Sequence, residues 1–182
     1  RLMSEMITKS GNETADWLMD RVIDPDRAPL DVTEDMQALG LQNTFLAGYF
    51  SLGSPLLERI ETFANQRTDI NTDPDPYSQT TSADIGKLLE DIYLCAQNGG
   101  GALMAVFPGQ FTQAECQSMI TLLVNNKLPS LLTAGVPEGT QIAHKHGWVS
   151  TNGIINTIGD AGIIYTPGGN YVLVAFLHHP DQ

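Results

Sequence analysis

Positive charge is what this sequence has least of. Lys and Arg number 9 against 21 Asp and Glu, a formal net charge of −12 over 182 residues, and the sequence pI is near 4.4. Nucleic acid and anionic membrane surfaces are held by clustered Lys and Arg, so this balance argues against both as partners. Long apolar runs are missing too: nothing approaches the ~18 residues of a membrane-spanning helix. No repeat of roughly 20–50 residues and no low-complexity segment is found. A signal-peptide pattern is also lacking, but the chain opens at Arg1 inside a helical pattern, so a targeting segment upstream stays open. Cysteine is confined to Cys95 and Cys116. Zinc would need two further ligands, and no His lies near either in sequence. The two cysteines fall on neighbouring predicted helices, which leaves a disulfide, in an exported protein, and a pair of buried thiols as equal readings.

What is present is material for a core, with 42% hydrophobic residues, enough for one domain or slightly more. Three strands are predicted near the C-terminal end. Residues 141–149 alternate small or apolar with polar residues, as a half-buried strand does. A turn at Thr151-Asn152-Gly153 leads into residues 154–166, where Gly159 and Gly162 predict a bulge or the close approach of another backbone. After Pro167-Gly168-Gly169-Asn170, the fully apolar run 171–177 predicts a buried central strand. Two short connections joining three such runs predict an antiparallel meander. Lys145, in mid-strand, asks for an anionic partner or ligand. His144 and His146, two apart, share one side of that strand. The spacing can ligate a metal, but histidines satisfied by hydrogen bonds are commoner in strands, and no metal is expected. His178 and His179 close the last strand and are expected at the surface.

The rest reads as helical. Apolar spacing over residues 2–9 breaks at Ser10-Gly11-Asn12 and resumes over 14–22; the plain reading is a corner in which Asn12 caps the second helix. A short helix is predicted over 32–39, with Thr33 as N-cap and Gly40 just past its end. Residues 69–75 place oxygen ligands at alternate positions. A calcium loop would also want glycine sixth and glutamate twelfth, where Pro74 and Thr80 stand, so an acidic, proline-braced loop is expected instead. Thr81 or Ser82 caps a helix over 83–96, ended by Asn98-Gly99-Gly100-Gly101, and Thr112 with Glu115 forms a capping box opening a helix to about residue 125.

Lys145-His146-Gly147 on a strand, followed by Gly159-Asp-Ala-Gly162 and Pro167-Gly-Gly-Asn170, resembles the end of a class A β-lactamase-like serine hydrolase of the β-lactamase and penicillin-binding-protein superfamily. The segment running from Met6 through Ser10-Gly11-Asn12 to Trp17 resembles the Ser-Asp-Asn segment of the same family, in the right order along the chain. The resemblance covers nearly all 182 residues, with a looser middle. It implies an α+β fold: a mainly helical subdomain over 1–136 with an omega-like loop near 41–80, then antiparallel strands over 137–182. It implies catalytic roles for Ser10, as proton relay, and Lys145. It also implies that Asn12 binds the substrate's side-chain amide and that His146 and Gly147 lie on the carboxylate-binding edge. Glu61, spaced Glu-x-x-x-Asn with Asn65, is a candidate general base. The implied substrate is a β-lactam or peptide-like small molecule, without a cofactor, in an extracytoplasmic setting. Two departures are visible: Gly11 stands for the family's Asp, and His146 for its hydroxyl residue. The family's nucleophile lies in Ser-x-x-Lys, yet Met6, Asp84, Val124 and Ile142 precede the four lysines by three positions. The resemblance therefore places the nucleophile upstream of Arg1 and a terminal helix beyond Gln182, and this chain as the latter part of a longer hydrolase, inactive alone. A non-catalytic binding module and a cell-wall peptidase or esterase on the same fold are the alternatives.

Overall fold

A computed structural model describes residues 1–70, 74–128, 131–151 (Thr151 by its backbone only) and 153–179. The centre of the 69–75 acidic loop and Asn152 of the 151–153 turn lie outside the described residues.

Helix α1 (Leu2–Lys9) ends at Ser10, which adopts the left-handed conformation, and α2 (Asn12–Leu18) runs on into a π-helical turn, Met19–Ile23. Helix α3 spans Ala28–Ala38 with Pro29 in its first turn, where a missing N–H costs nothing. It begins earlier than the predicted 32–39 because Pro29 and Asp31 suit a first turn. Thr33 is therefore no cap: its hydroxyl turns back to Pro29 O and also donates to Leu46 O. Strands β1 (Phe45–Leu46) and β2 (Ser78–Gln79) form a short antiparallel pair. Helix α4 (Ser82–Asn98) starts where the Thr81 hydroxyl accepts the Asp84 N–H at 3.2 Å, and stops at Gly99 with φ 67°. Helix α5 (Ala102–Val106) follows; α6 (Gln113–Val124) opens with the expected capping box of Thr112 and Glu115; α7 is a single turn, Leu131–Ala134.

Strands β3 (Ile142–Thr151), β4 (Ile154–Ile164) and β5 (Tyr171–His178) make the expected antiparallel meander in the order β3-β4-β5. The α+β class holds. Two details differ from expectation. Strand β4, not the apolar β5, is central; β5 pairs only with β4 among the described strands, and Tyr171, Leu173, Phe176 and Leu177 are exposed. The glycines of β4 make no bulge, since the register slips at Val149/Ser150 instead. They serve close approach by side chains: a Cβ at Gly159 would meet the Phe176 ring at 2.1 Å, and one at Gly162 would meet His144 Cβ at 2.8 Å.

Alternation divides the sheet. Ala143, Ala161, Ile163, Val172 and Val174 face Leu89 of α4 and Leu123 of α6, forming one core. On the other face Ile142 and Ile164 are covered by Leu132 of α7. A second core joins Leu39, Leu41, Ala96 and Leu103 around Cys95 and Cys116, which form a disulfide with Cα atoms 5.8 Å apart. Of the two readings left open for these cysteines, the structure has the disulfide.

Candidate active site

The expected motifs meet where α1 ends beside β3. The strand alternation that puts Ala143 under the helices also turns Lys145 to that side, toward Ser10. Its Nζ donates to Ser10 Oγ at 2.5 Å and to the His146 carbonyl at 2.7 Å. Lys145 and Ser10 are separated by 135 positions in the chain. The corner after α6 holds them together: Lys127 N–H donates to Thr8 O at 3.1 Å, and Asn126 Nδ2 donates to His144 O at 3.2 Å. One corner thus grips both the end of α1 and β3. Burial pushes the Lys145 ammonium below the ordinary lysine value, and Asp160 opposes that shift. A hydroxyl that accepts from an ammonium keeps its own proton free to donate, which is what a proton relay needs.

Ser10 is the only non-glycine with positive φ among the described residues, at φ 58° and ψ 43°. Such strain, costing roughly 1–2 kcal/mol, aims the side chain at β3 rather than along the helix. Gly11 then precedes α2 as its N-cap, so Asn12 is the first helical residue and not the cap, and its side chain is exposed beside Ser10. The space a side chain at position 11 would need is taken: a Cβ there would stand 2.6 Å from Thr14 Oγ1, which bonds the Gly11 carbonyl at 2.7 Å. Gly11 and Thr14 form one unit. Gly147, at the outer edge of β3, is exposed with open space where a Cβ would stand. Among the described residues strand β3 pairs with β4 on one side only, so backbone groups along its other edge point away from the sheet.

His146 points to the opposite face from Lys145. Its buried ring stacks on Trp148 with centroids 5.3 Å apart and planes 7° from parallel. His144, on the same face, meets Asp160 Oδ1 at 3.1 Å, and Asp160 Oδ2 accepts the Leu132 N–H at 3.1 Å. Among the described residues no group of three potential ligands is arranged to hold a metal ion.

Glu61 is exposed. Its spacing partner Asn65 closes a local turn, accepting from Thr62 N at 2.9 Å and donating to Ile60 O at 3.0 Å. Asn43 Oδ1, two residues before β1, and Gln79 Nε2 of β2 then hold this turn. A different stretch reaches the Ser10–Asn12 helix. Asp16, one helical turn after Asn12 and so on the same face, accepts the N–H groups of Phe50 and Ser51 at 2.8 Å each and the Ser51 hydroxyl at 2.5 Å. Sequence reasoning missed Asp16. Its signal was a carboxylate on the apolar side of a helix, which is visible only once that side is known.

The family model described as the beta-lactamase enzyme family matches residues 1–182. Nothing among curated proteins matches significantly. The solved structures that resemble this chain include the TLA-1 extended-spectrum beta-lactamase, at 20% identity and TM-score 0.65, covering 97% of this chain and 54% of that one. A point mutant of PBP-A, in an acyl-enzyme complex with penicillin G, gives 20% identity and TM-score 0.63 over 96% of this chain and 50% of its own. A class A beta-lactamase of Bacteroides cellulosilyticus DSM 14838 gives 20% identity and TM-score 0.59, covering 100% and 55%. The chain thus spans about half the length of these structures, and at such identities they show a shared fold. With the family model matched from end to end and the Ser10–Lys145 contact formed within that fold, this chain belongs to the beta-lactamase enzyme family.

Proposed function

We propose that this chain supplies one wall of a serine acyl-transfer site, and that the protein containing it forms and hydrolyses an acyl-enzyme from a β-lactam or a related amide or ester. The observation that carries this is the Lys145–Ser10 hydrogen bond across 135 residues. In the proposed mechanism the Lys145 ammonium, held below its ordinary pKa, polarises the Ser10 hydroxyl. Ser10 passes its proton to the leaving nitrogen as Lys145 Nζ hands one of its own to Ser10 Oγ, which restores the hydroxyl and leaves Lys145 a neutral amine. The open edge at Gly147 with Lys145 receives the substrate carboxylate, and the exposed Asn12 amide receives the side-chain amide. Backbone N–H groups along the free edge of β3, near residues 146–148, contribute to the oxyanion site. Since no serine precedes a lysine by three positions, this chain binds but does not acylate. A buried disulfide fits an oxidising, extracytoplasmic setting, and no described helix is long and apolar enough to cross a membrane.

A second reading, a penicillin-binding cell-wall peptidase, is favoured by one feature. The residues that Asp16 latches beside the site helix, Phe50 and Ser51, lie in a run, 48–54, that contains no carboxylate. The turn that follows Glu61, the candidate general base, is held by Asn43 and by Gln79 of β2. In this reading Glu61 does not reach the acyl group, and a site without a base to activate the deacylating water releases its acyl group slowly. Intact mass spectrometry of the protein from its complete reading frame, incubated with a fluorescent penicillin, tests both. A transient adduct supports the lactamase and a persistent one the peptidase. No adduct and no turnover in a folded protein would leave a binding module.

A further inference from the structure

We infer that the helical subdomain carries a second binding site, an apolar cavity that takes a small hydrophobic ammonium, with its hydrocarbon part inside and its cation against Asp35. The inference is independent of the acyl-transfer reading, since no residue of the Ser10–Lys145 site lines this cavity.

The cavity lies where α3, α4, α5 and α6 converge and holds about 210 Å³. Leu39 and Leu103, each 4% exposed, join it to the core around the disulfide. Phe107 and Phe111, from the connection between α5 and α6, line it with their rings edge-on and their centroids 5.9 Å apart. Ile92 stands one helical turn before Cys95, and Met119 one turn after Cys116, so the disulfide fixes the spacing of the two helices that bear them. A cavity held open in this way needs little reordering to accept a ligand. An apolar cavity of about 150 Å³ takes a benzene molecule, so this one has room for a phenyl ring and its first carbon.

The charge comes from α3. Asp35 is the one charged group in the lining, and it is exposed, at the mouth. The neighbouring Arg27 is committed to Asp31 and Glu34. Among the described residues the Asp35 carboxylate is left without a hydrogen bond or ion pair. Burial, and then the charges of Asp31 and Glu34, push its pKa up. An ammonium at the mouth would offset that repulsion, and the aromatic rings beside it would also favour a cation. An anion would meet three carboxylates instead. An unpaired acid at the rim of an apolar hollow thus matches an ammonium on a short hydrocarbon.

Titration of the protein from its complete reading frame with benzylamine and with benzyl alcohol tests this, at about pH 7, where the amine is charged. The methyl resonances of Ile92, Leu103 and Met119 report on the cavity. Both compounds should shift them saturably, and benzylamine should bind about fivefold more tightly than the uncharged alcohol. In Asp35→Asn the alcohol should bind as before and the preference for the amine should vanish. Met119→Trp, which fills the cavity, should abolish binding of both. No saturable shift with benzylamine, an alcohol that binds as tightly, or a preference that survives in Asp35→Asn would overturn the inference. Should Met119→Trp fail to fold, Asp35→Asn decides alone, because its side chain is exposed and the change removes the charge while keeping the shape.

Discussion

Replacing Ser10 by glycine and by alanine should invert the usual order of these two substitutions. In ordinary helical or extended backbone, glycine is less stable than alanine by roughly 0.5–1 kcal/mol, because the unfolded chain gains entropy. At φ 58° and ψ 43° the alanine Cβ meets the following carbonyl, a cost of roughly 1–2 kcal/mol that glycine escapes. Both variants lose the hydroxyl that accepts from Lys145, a charge-assisted bond worth about 1.5 kcal/mol at a half-buried site. The expectation is that Ser10→Ala loses about 1.5 kcal/mol against wild type, and that Ser10→Gly recovers about 1 kcal/mol of it. With a urea m-value of about 2 kcal/mol/M, the glycine variant should unfold about 0.5 M later than the alanine variant. Equilibrium urea unfolding followed by circular dichroism measures this directly. If alanine is as stable as glycine or more so, the left-handed turn that aims Ser10 at β3 is not there, and the contact with Lys145 loses its structural basis.

The Cys95–Cys116 disulfide closes a loop with a sequence separation of 21. Loop-closure entropy puts its contribution at about 3.4 kcal/mol, so Cys95→Ala/Cys116→Ala should lower the unfolding free energy by at least that amount, and an unchanged midpoint would remove it as a constraint. Burial lowers the Lys145 pKa, so the unfolded chain binds more protons in the alkaline window just below the ordinary lysine value. Stability from this residue rises with pH there, and the wild-type minus Lys145→Met difference should shift toward the wild type as pH rises through that window; a flat difference contradicts the burial. Gly159→Ala sets a methyl against the Phe176 ring and should cost about 1–3 kcal/mol. In a Phe176→Ala background the same change should cost much less, as thermal or urea unfolding of the four proteins of the cycle would show. Asp16→Ala should free residues 50–51 from the site helix and accelerate amide exchange of Phe50 and Ser51 selectively.

Much of the architecture was legible in the chain because its signals are local. The capping box at Thr112 and Glu115, the Thr81 cap and the left-handed Gly99 act within a few residues, so the ends of α4 and α6 stand where propensity puts them. The three strands follow from alternation and turn residues. What misled was the apolar run 171–177, since apolarity on both faces marks a strand that could be buried, not one that is. The glycines of β4 were legible as sites of close approach, but whether a backbone or a phenylalanine ring approaches depends on the neighbouring strand.

The site divides along the same line. Side-chain identity and a period of two belong to the chain itself, so the available chemical groups, their order, and the turning of Lys145 and His146 to opposite faces could all be read before folding. Which groups meet is a matter of the folded molecule. The 126–127 corner brings Ser10 to Lys145, and Asp16 draws residues 50–51 to the site helix. The sheet sets Asp160 across from His146. Each of these is a hydrogen bond or ladder register between residues far apart in sequence. Such contacts are favourable only after the entropy of closing the intervening chain has been met by the whole fold, so no local pattern can announce them.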